Sequence, residues 1–230
     1  MPLRFKGLDV PVRPMWEGFL TPSVPAELAR IESQIGDDFT PPAHRVLRCL
    51  DMAAVRCVIL GQDPYPQPGV ATGRAFEVAG AESWADRAVN SSLKNILKAL
   101  YRTYRQLDRP PAIAEVRTDR GFAILPPGAL FDHWERQGVL LLNTALTCHT
   151  GDPGSHAGVW PAFTNALIAH IRMTCPDAAW LLWGGHARAY RPQVDGARVY
   201  EASHPSSRDN SFVMTDGFRA TADLVEWYGI

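Results

Sequence analysis

No Cys-x-x-Cys pair, no His-Glu-x-x-His or His-x-x-x-His spacing and no Gly-x-Ser-x-Gly elbow occurs in this sequence of 230 residues. The four cysteines, Cys49, Cys57, Cys148 and Cys175, stand too far apart for a zinc ribbon or most iron–sulfur patterns. Cys57 and Cys148 lie in or beside apolar stretches, where a thiol packs as a small hydrophobe. No metal site and no cofactor are therefore expected, and a serine or metal hydrolase is disfavoured. Long apolar runs are missing too. Ala178-Ala179-Trp180-Leu181-Leu182-Trp183 is far short of the ~20 residues of a membrane span. Residues 1–7 lack the apolar core of a signal peptide, so a cytoplasmic protein without membrane association is expected. Lysine is scarce, at three residues against twenty arginines. Arginine suits bidentate phosphate contacts, but a GC-rich genome produces the same bias. Net charge is −1, so any nucleic-acid ligand needs a local basic surface and not a global field.

What is present is enough for a core: 46% of residues are apolar and 20% charged. The length fits one domain over 1–230, with a proline-containing N-terminal segment over 1–40. Apolar runs at 55–60, 139–142, 179–183 and 199–202 read as strands, the first three continuous enough to be buried on both faces. Helical spacing joins Leu28, Ile31 and Ile35. It recurs in Leu93, Ile96, Leu97, Leu100, Tyr101 and Tyr104 behind a Ser91-Ser92 cap, and in Phe163, Leu167, Ile168 and Ile171 behind Pro161. Surface loops are expected over 80–90 and 108–128. Alternating strands and helices predict an α/β fold with a central four-stranded parallel sheet flanked by helices on both faces.

Each strand run is followed by polar groups: Gln62-Asp63, Asn143-Thr144, Gly184-Gly185-His186 and Ser203-His204. Any one of them could be a turn residue. Ligands of parallel α/β sheets bind at the carboxyl ends of the strands, so a carboxylate, an amide and two histidines converge on one edge. That edge is the candidate site.

Gly61-Gln62-Asp63-Pro64-Tyr65, Leu140-Leu141-Leu142-Asn143, Leu182-Trp183-Gly184 and His204-Pro205-Ser206 together resemble the family 1 uracil-DNA glycosylases, in the family's order and at compatible spacing. Pro41-Pro42, Ala75-Phe76 and Ser155-His156 followed by Trp160 agree, and the resemblance runs over about residues 39–220. It implies a monofunctional DNA-repair enzyme, with no lyase step, that flips uracil out of single- or double-stranded DNA and hydrolyses its N-glycosidic bond. Glycosidic cleavage passes through an oxocarbenium-like state. The uracil anion is a tolerable leaving group, so one carboxylate and one hydrogen-bond donor suffice. By the resemblance Asp63 orients water near the sugar cation, and His204 donates to uracil O2 as a neutral imidazole. Backbone N–H groups near Gln62 and Asp63 complete the cradle. Asn143 pairs with uracil N3–H and O4, Phe76 stacks on the base, and Tyr65 walls off C5, where thymine carries a methyl.

Ser92, Gly185, Ser206 and Arg208 fall at the DNA-handling positions. There the chain departs from the family. Pro66 replaces the usual histidine after Asp-Pro-Tyr, and Ala88-Val89-Asn90-Ser91 replaces a proline-rich loop. Gly185 replaces a phosphate-pinching serine, and Arg208 replaces the leucine that fills the gap left by the flipped base. Arg74 and Arg208 are expected either to lend positive charge toward DNA or to be solvated surface arginines. A monomer is expected, one that binds phage-type inhibitor proteins poorly, because those grip an apolar wedge. Two other readings stay open: a glycosylase for several deaminated or damaged bases, and a DNA-binding protein with an inactive pocket.

Overall fold

The computed structural model describes residues 2–230. Four parallel strands form the sheet: β1 (Cys57–Gly61), β2 (Val139–Asn143), β3 (Ala179–Trp183) and β4 (Arg198–Ala202), in the order β2-β1-β3-β4. Every residue of β1, β2 and β3 is buried, as continuous apolar runs require of strands covered on both faces. β4 lies at the edge and stays partly exposed. Against the sequence expectation, β1 begins two residues later, at Cys57, and ends on Gly61. β2 reaches one residue further, to Asn143, and β4 begins one earlier, at Arg198.

Side chains alternate across the sheet and divide the core in two. Val58, Leu60, Leu140, Leu142, Trp180 and Leu182 pack with α1 (Ser23–Ile35) and, later in the chain, the helix Pro161–Thr174. Cys57, Ile59, Val139, Leu141, Leu181 and Trp183 face α2 (Ser91–Arg105) and α3 (Pro127–Arg136) on the other side. Pro161–Thr174 is α4. Leu28, Ile31 and Ile35 are buried in α1, and Phe163, Leu167, Ile168 and Ile171 in α4, as their spacing predicts.

Two local readings need correction. The cap of α2 is Asn90, not Ser91-Ser92: its side chain accepts from the Leu93 backbone N–H at 3.0 Å. The stretch 108–128 is not a plain loop, since it holds a short helix, Ile113–Thr118, and the first two residues of α3. An antiparallel pair, Arg4–Phe5 with Leu8–Asp9, also lies inside the N-terminal segment. Residues 80–90 carry neither helix nor strand. No helix among the described residues is long and apolar enough to cross a membrane.

Candidate active site

The register of β1 and β2 sets Gly61 directly beside Asn143 at the carboxyl edge of the sheet. A β-carbon at Gly61 would lie 2.4 Å from Asn143 Oδ1, 2.9 Å from Ala75 Cβ and 3.5 Å from Phe76 Cε2. Only glycine lets the amide and the aromatic ring close over the strand end. Asn143 is buried, at 5% exposure.

Asp63, two residues on, is half-buried and accepts a hydrogen bond from the Gly154 backbone N–H at 2.6 Å. Burial raises its pKa above the ordinary carboxylate value, while the Gly154 bond and the nearby His186 and His204 oppose that rise. His204 follows β4 and packs on Gly184, where a β-carbon would come within 3.0 Å of His204 Cβ. Its Nδ1 accepts from the Ser206 backbone N–H at 3.1 Å and lies 2.7 Å from Ser206 Oγ. His204 is solvent-exposed at the rim of the site, yet partial desolvation of the ring inside the strand-end cleft holds its pKa below 6.5 against the pull of Asp63.

Phe76 has φ 67°, a left-handed backbone that a bulky side chain rarely adopts and that costs about 1–3 kcal/mol. Its ring sits 5.1 Å from that of Trp183 and 5.9 Å from that of His204, tilted against both. Tyr65 Oη donates to the Phe76 carbonyl at 3.4 Å. Burial raises the Tyr65 pKa, although the Asn90 and Ser92 side chains face the phenol and oppose that shift. Asp63, His204, Phe76, Tyr65 and Asn143 thus gather on one sheet edge, with Gln62 exposed beside them.

The residues expected to handle DNA spread outward from that edge. Gly185 opens a one-turn helix, Gly185–Arg188, and is exposed, as are Ser206 and Arg208. The loop bearing Ser206 and Arg208 is pinned to α2, because Asn95 Nδ2 donates to the Pro205 and Ser207 carbonyls at 2.7 and 3.1 Å. Ser92 is buried beside Tyr65, at 6% exposure. Arg74 does not lend charge to a DNA surface: its side chain is 4% exposed and bridged to Glu77, Asp132 and Glu135.

One contributor lay outside the sequence reading of the site, and a second entered it without a role. Gly154 acts through its backbone N–H, which leaves no side-chain signal. His186, visible only as a strand-end residue, sets Nε2 2.6 Å from Thr144 Oγ1, and Thr144 Oγ1 lies 3.0 Å from the Gln62 carbonyl.

The profile of the uracil DNA glycosylase superfamily matches residues 50–221. The chain belongs to the uracil DNA glycosylase superfamily. That span takes in all four strands and every site residue named above. The chain is 37% identical to a uracil-DNA glycosylase of Bordetella petrii over 205 residues, covering 84% of this chain and 72% of that protein. It is 38% identical to a uracil-DNA glycosylase of Klebsiella pneumoniae over 203 residues, covering 82% of this chain and 80% of that one. A crystal structure of wild-type UNG from Nitratifractor salsuginis superposes with a TM-score of 0.75 at 26% identity, covering 93% of this chain and 91% of that one.

Proposed function

We propose that this superfamily member is a family 1 uracil-DNA glycosylase that hydrolyses the bond between uracil N1 and the deoxyribose C1′ in DNA. The bond breaks with its electron pair leaving on uracil, and water adds to C1′. Uracil departs as an anion whose O2 accepts from His204 Nε2–H. Asp63 orients the water, takes its proton and passes it to solvent, while its charge lies near the sugar cation. One hydrogen-bond donor aimed at a developing oxyanion is worth roughly 3–4 kcal/mol in an enclosed site.

Asn143 pairs with N3–H and O4, Phe76 stacks on the ring and Tyr65 excludes a 5-methyl group. Gln62 and the Asp63 backbone line the same cradle, the exposed Gly185, Ser206 and Arg208 bear on the DNA strand, and Ser92 lies buried behind Tyr65. The observation that carries this reading is the pairing of a neutral imidazole with a half-buried carboxylate on the edge where a buried amide and a left-handed phenylalanine already stand.

The test is incubation with matched oligonucleotides carrying U, T, C, hypoxanthine, xanthine or an etheno adduct, followed by cleavage at any abasic site. Uracil should leave at least about 10⁴-fold faster than cytosine, since a site built for one hydrogen-bond pattern leaves its amide unpaired with the other. Comparable release of several bases would establish a broad glycosylase instead. Binding without release would establish an inactive pocket.

A further inference from the structure

We propose that Arg74 is a positioning residue that locks Phe76 in its left-handed backbone, and with it the ring on which the base stacks. The inference rests on the reading of Phe76 as the stacking platform. Left-handed φ at an aromatic residue persists only where the surroundings over-determine it. Here Arg74 and Glu77 bracket Ala75 and Phe76, and both are buried. Arg74 Nη1 donates to Glu77 Oε1 at 2.9 Å, closing a bridge across the two residues between them. Arg74 Nη2 reaches Asp132 Oδ1 at 2.7 Å and also Glu135, both on α3. Glu135 is held in turn by Arg48, at 3.1 and 2.9 Å.

The bracket is fastened at further points. Thr72 Oγ1 donates to Glu77 Oε2 at 2.5 Å and accepts from the Arg74 backbone N–H at 3.3 Å. The Ala75 N–H donates to the Leu141 carbonyl at 3.1 Å, tying the segment to β2. Gly73 has φ 88°, and a β-carbon there would meet the Arg45 carbonyl at 2.2 Å, so the chain entering the bracket is fixed as well. Tyr65 Oη rests on the Phe76 carbonyl, which couples the wall against C5 to the same bracket.

Two arginines, Arg48 and Arg74, serve three carboxylates, those of Glu77, Asp132 and Glu135. Burial works against the Arg74 charge, and the carboxylates more than offset it. Asp132 is exposed and Glu135 keeps Arg48, but leaving the buried Glu77 without Arg74 is unfavourable. A purely structural role would end there, in lower stability.

The experiment separates the two roles. Arg74→Lys keeps a charge but loses the fork that spans Glu77 and α3, and Glu77→Gln keeps shape while weakening the bridge. Each is measured for melting temperature, for single-turnover uracil release from a single-stranded oligonucleotide, and for inhibition by free uracil. Both variants are expected to stay folded, to bind free uracil at least ten-fold more weakly, and to release uracil at least ten-fold more slowly. Added to Phe76→Ala, Arg74→Lys should produce no further loss, because the platform through which it acts is already gone. Unchanged uracil inhibition and release per folded molecule, or an Arg74→Lys loss that adds fully to that of Phe76→Ala, overturns the inference. If the wild-type protein releases no uracil, it is the underlying reading that fails.

Discussion

The Ser206 backbone N–H donates to His204 Nδ1 at 3.1 Å. An amide N–H cannot accept, so Nδ1 must present its lone pair and the hydrogen of the neutral ring sits on Nε2. The two residues are separated only by Pro205, and Asn95 holds the Pro205 carbonyl at 2.7 Å, so the tautomer is set by a short, anchored turn. A neutral donor suits a leaving group that becomes an anion without being protonated outright.

His204→Leu is therefore expected to lower the single-turnover rate of uracil release by about 10²–10³, the usual loss for one oxyanion donor. The KM for substrate DNA should change little. A rise in KM with an unchanged chemical step would make His204 a binding residue.

The same two groups fix the pH dependence. In the proposed mechanism Asp63 acts as an anion, and burial raises its pKa above 3.8, so it would be lost as a base earlier on acidification than an exposed carboxylate. His204 must keep Nδ1 unprotonated to accept from Ser206, and partial desolvation lowers its pKa below 6.5 although the residue is exposed. Both limbs are acidic, and Tyr65, shifted above 10.0, adds none near neutrality. The profile of kcat/KM should be level from about pH 7 to 9 and fall below pH 6.5, between the two ordinary values. A fall on the alkaline side below pH 9 would require another titrating group.

Asp63→Asn should slow uracil release by about 10²–10⁴ while DNA binding persists, since charge and water orientation are lost together. Its effect on stability has the opposite sign. A carboxyl whose folded pKa lies above its unfolded value favours the native state only when protonated, so at neutral pH the ionised form weighs against folding. Asparagine removes that charge and can still accept from the Gly154 N–H. The variant should melt above wild type at pH 7, with the gap closing as pH falls through the Asp63 pKa. A lower melting temperature at pH 7 would mean that the Gly154 bond depends on the charge.

Much of this architecture was legible because the strands are continuous apolar runs and α1 and α4 keep a helical period. Helix α3 was not: Leu130, Phe131 and Trp134 are its only buried large apolar side chains, and Pro126-Pro127 reads as loop punctuation although Pro127 suits the first turn of a helix. The N-terminal pair of two-residue strands is too short for any period to register. At the site, polar groups after each strand marked the edge, and the motif resemblance supplied roles. Arg74 read as a surface charge because its partners on α3 lie 58 and 61 residues away, where no local pattern reaches. Asn90, and not the adjacent serines, caps α2 because its short amide reaches the Leu93 N–H.

Base selection should divide between two residues. Tyr65→Ala opens the wall against C5 and should give slow release of normal thymine from DNA. Asn143→Asp, when protonated, accepts and donates in the cytosine pattern, so measurable cytosine release is expected where wild type should reject it by about 10⁴-fold or more. Strict uracil specificity in both variants would place base reading elsewhere in the chain.

Arg208 tests how the duplex is opened. It is exposed on the loop that Asn95 pins to α2, and Lys98 Nζ holds Asn210 Oδ1 of the same loop at 2.6 Å, so it projects from an anchored base. Flipping a base from a duplex costs a few kcal/mol of unstacking unless something fills the gap. A guanidinium can stack on the neighbouring base and reach a phosphate, for a cation–π gain of about 0.5–2 kcal/mol, but it gives up hydration inside the stack. Arg208→Ala should therefore slow release from duplex DNA several-fold and leave single-stranded DNA nearly unaffected, because flipping costs little there. Arg208→Leu should restore or raise duplex activity by supplying apolar surface without a charge to desolvate. A phage-type inhibitor protein that encloses an apolar wedge should bind the wild type poorly and Arg208→Leu more tightly, as seen in titrations of residual activity. Equal losses on both DNA forms for Arg208→Ala, with strong inhibition of the wild type, would place Arg208 outside the gap left by the flipped base.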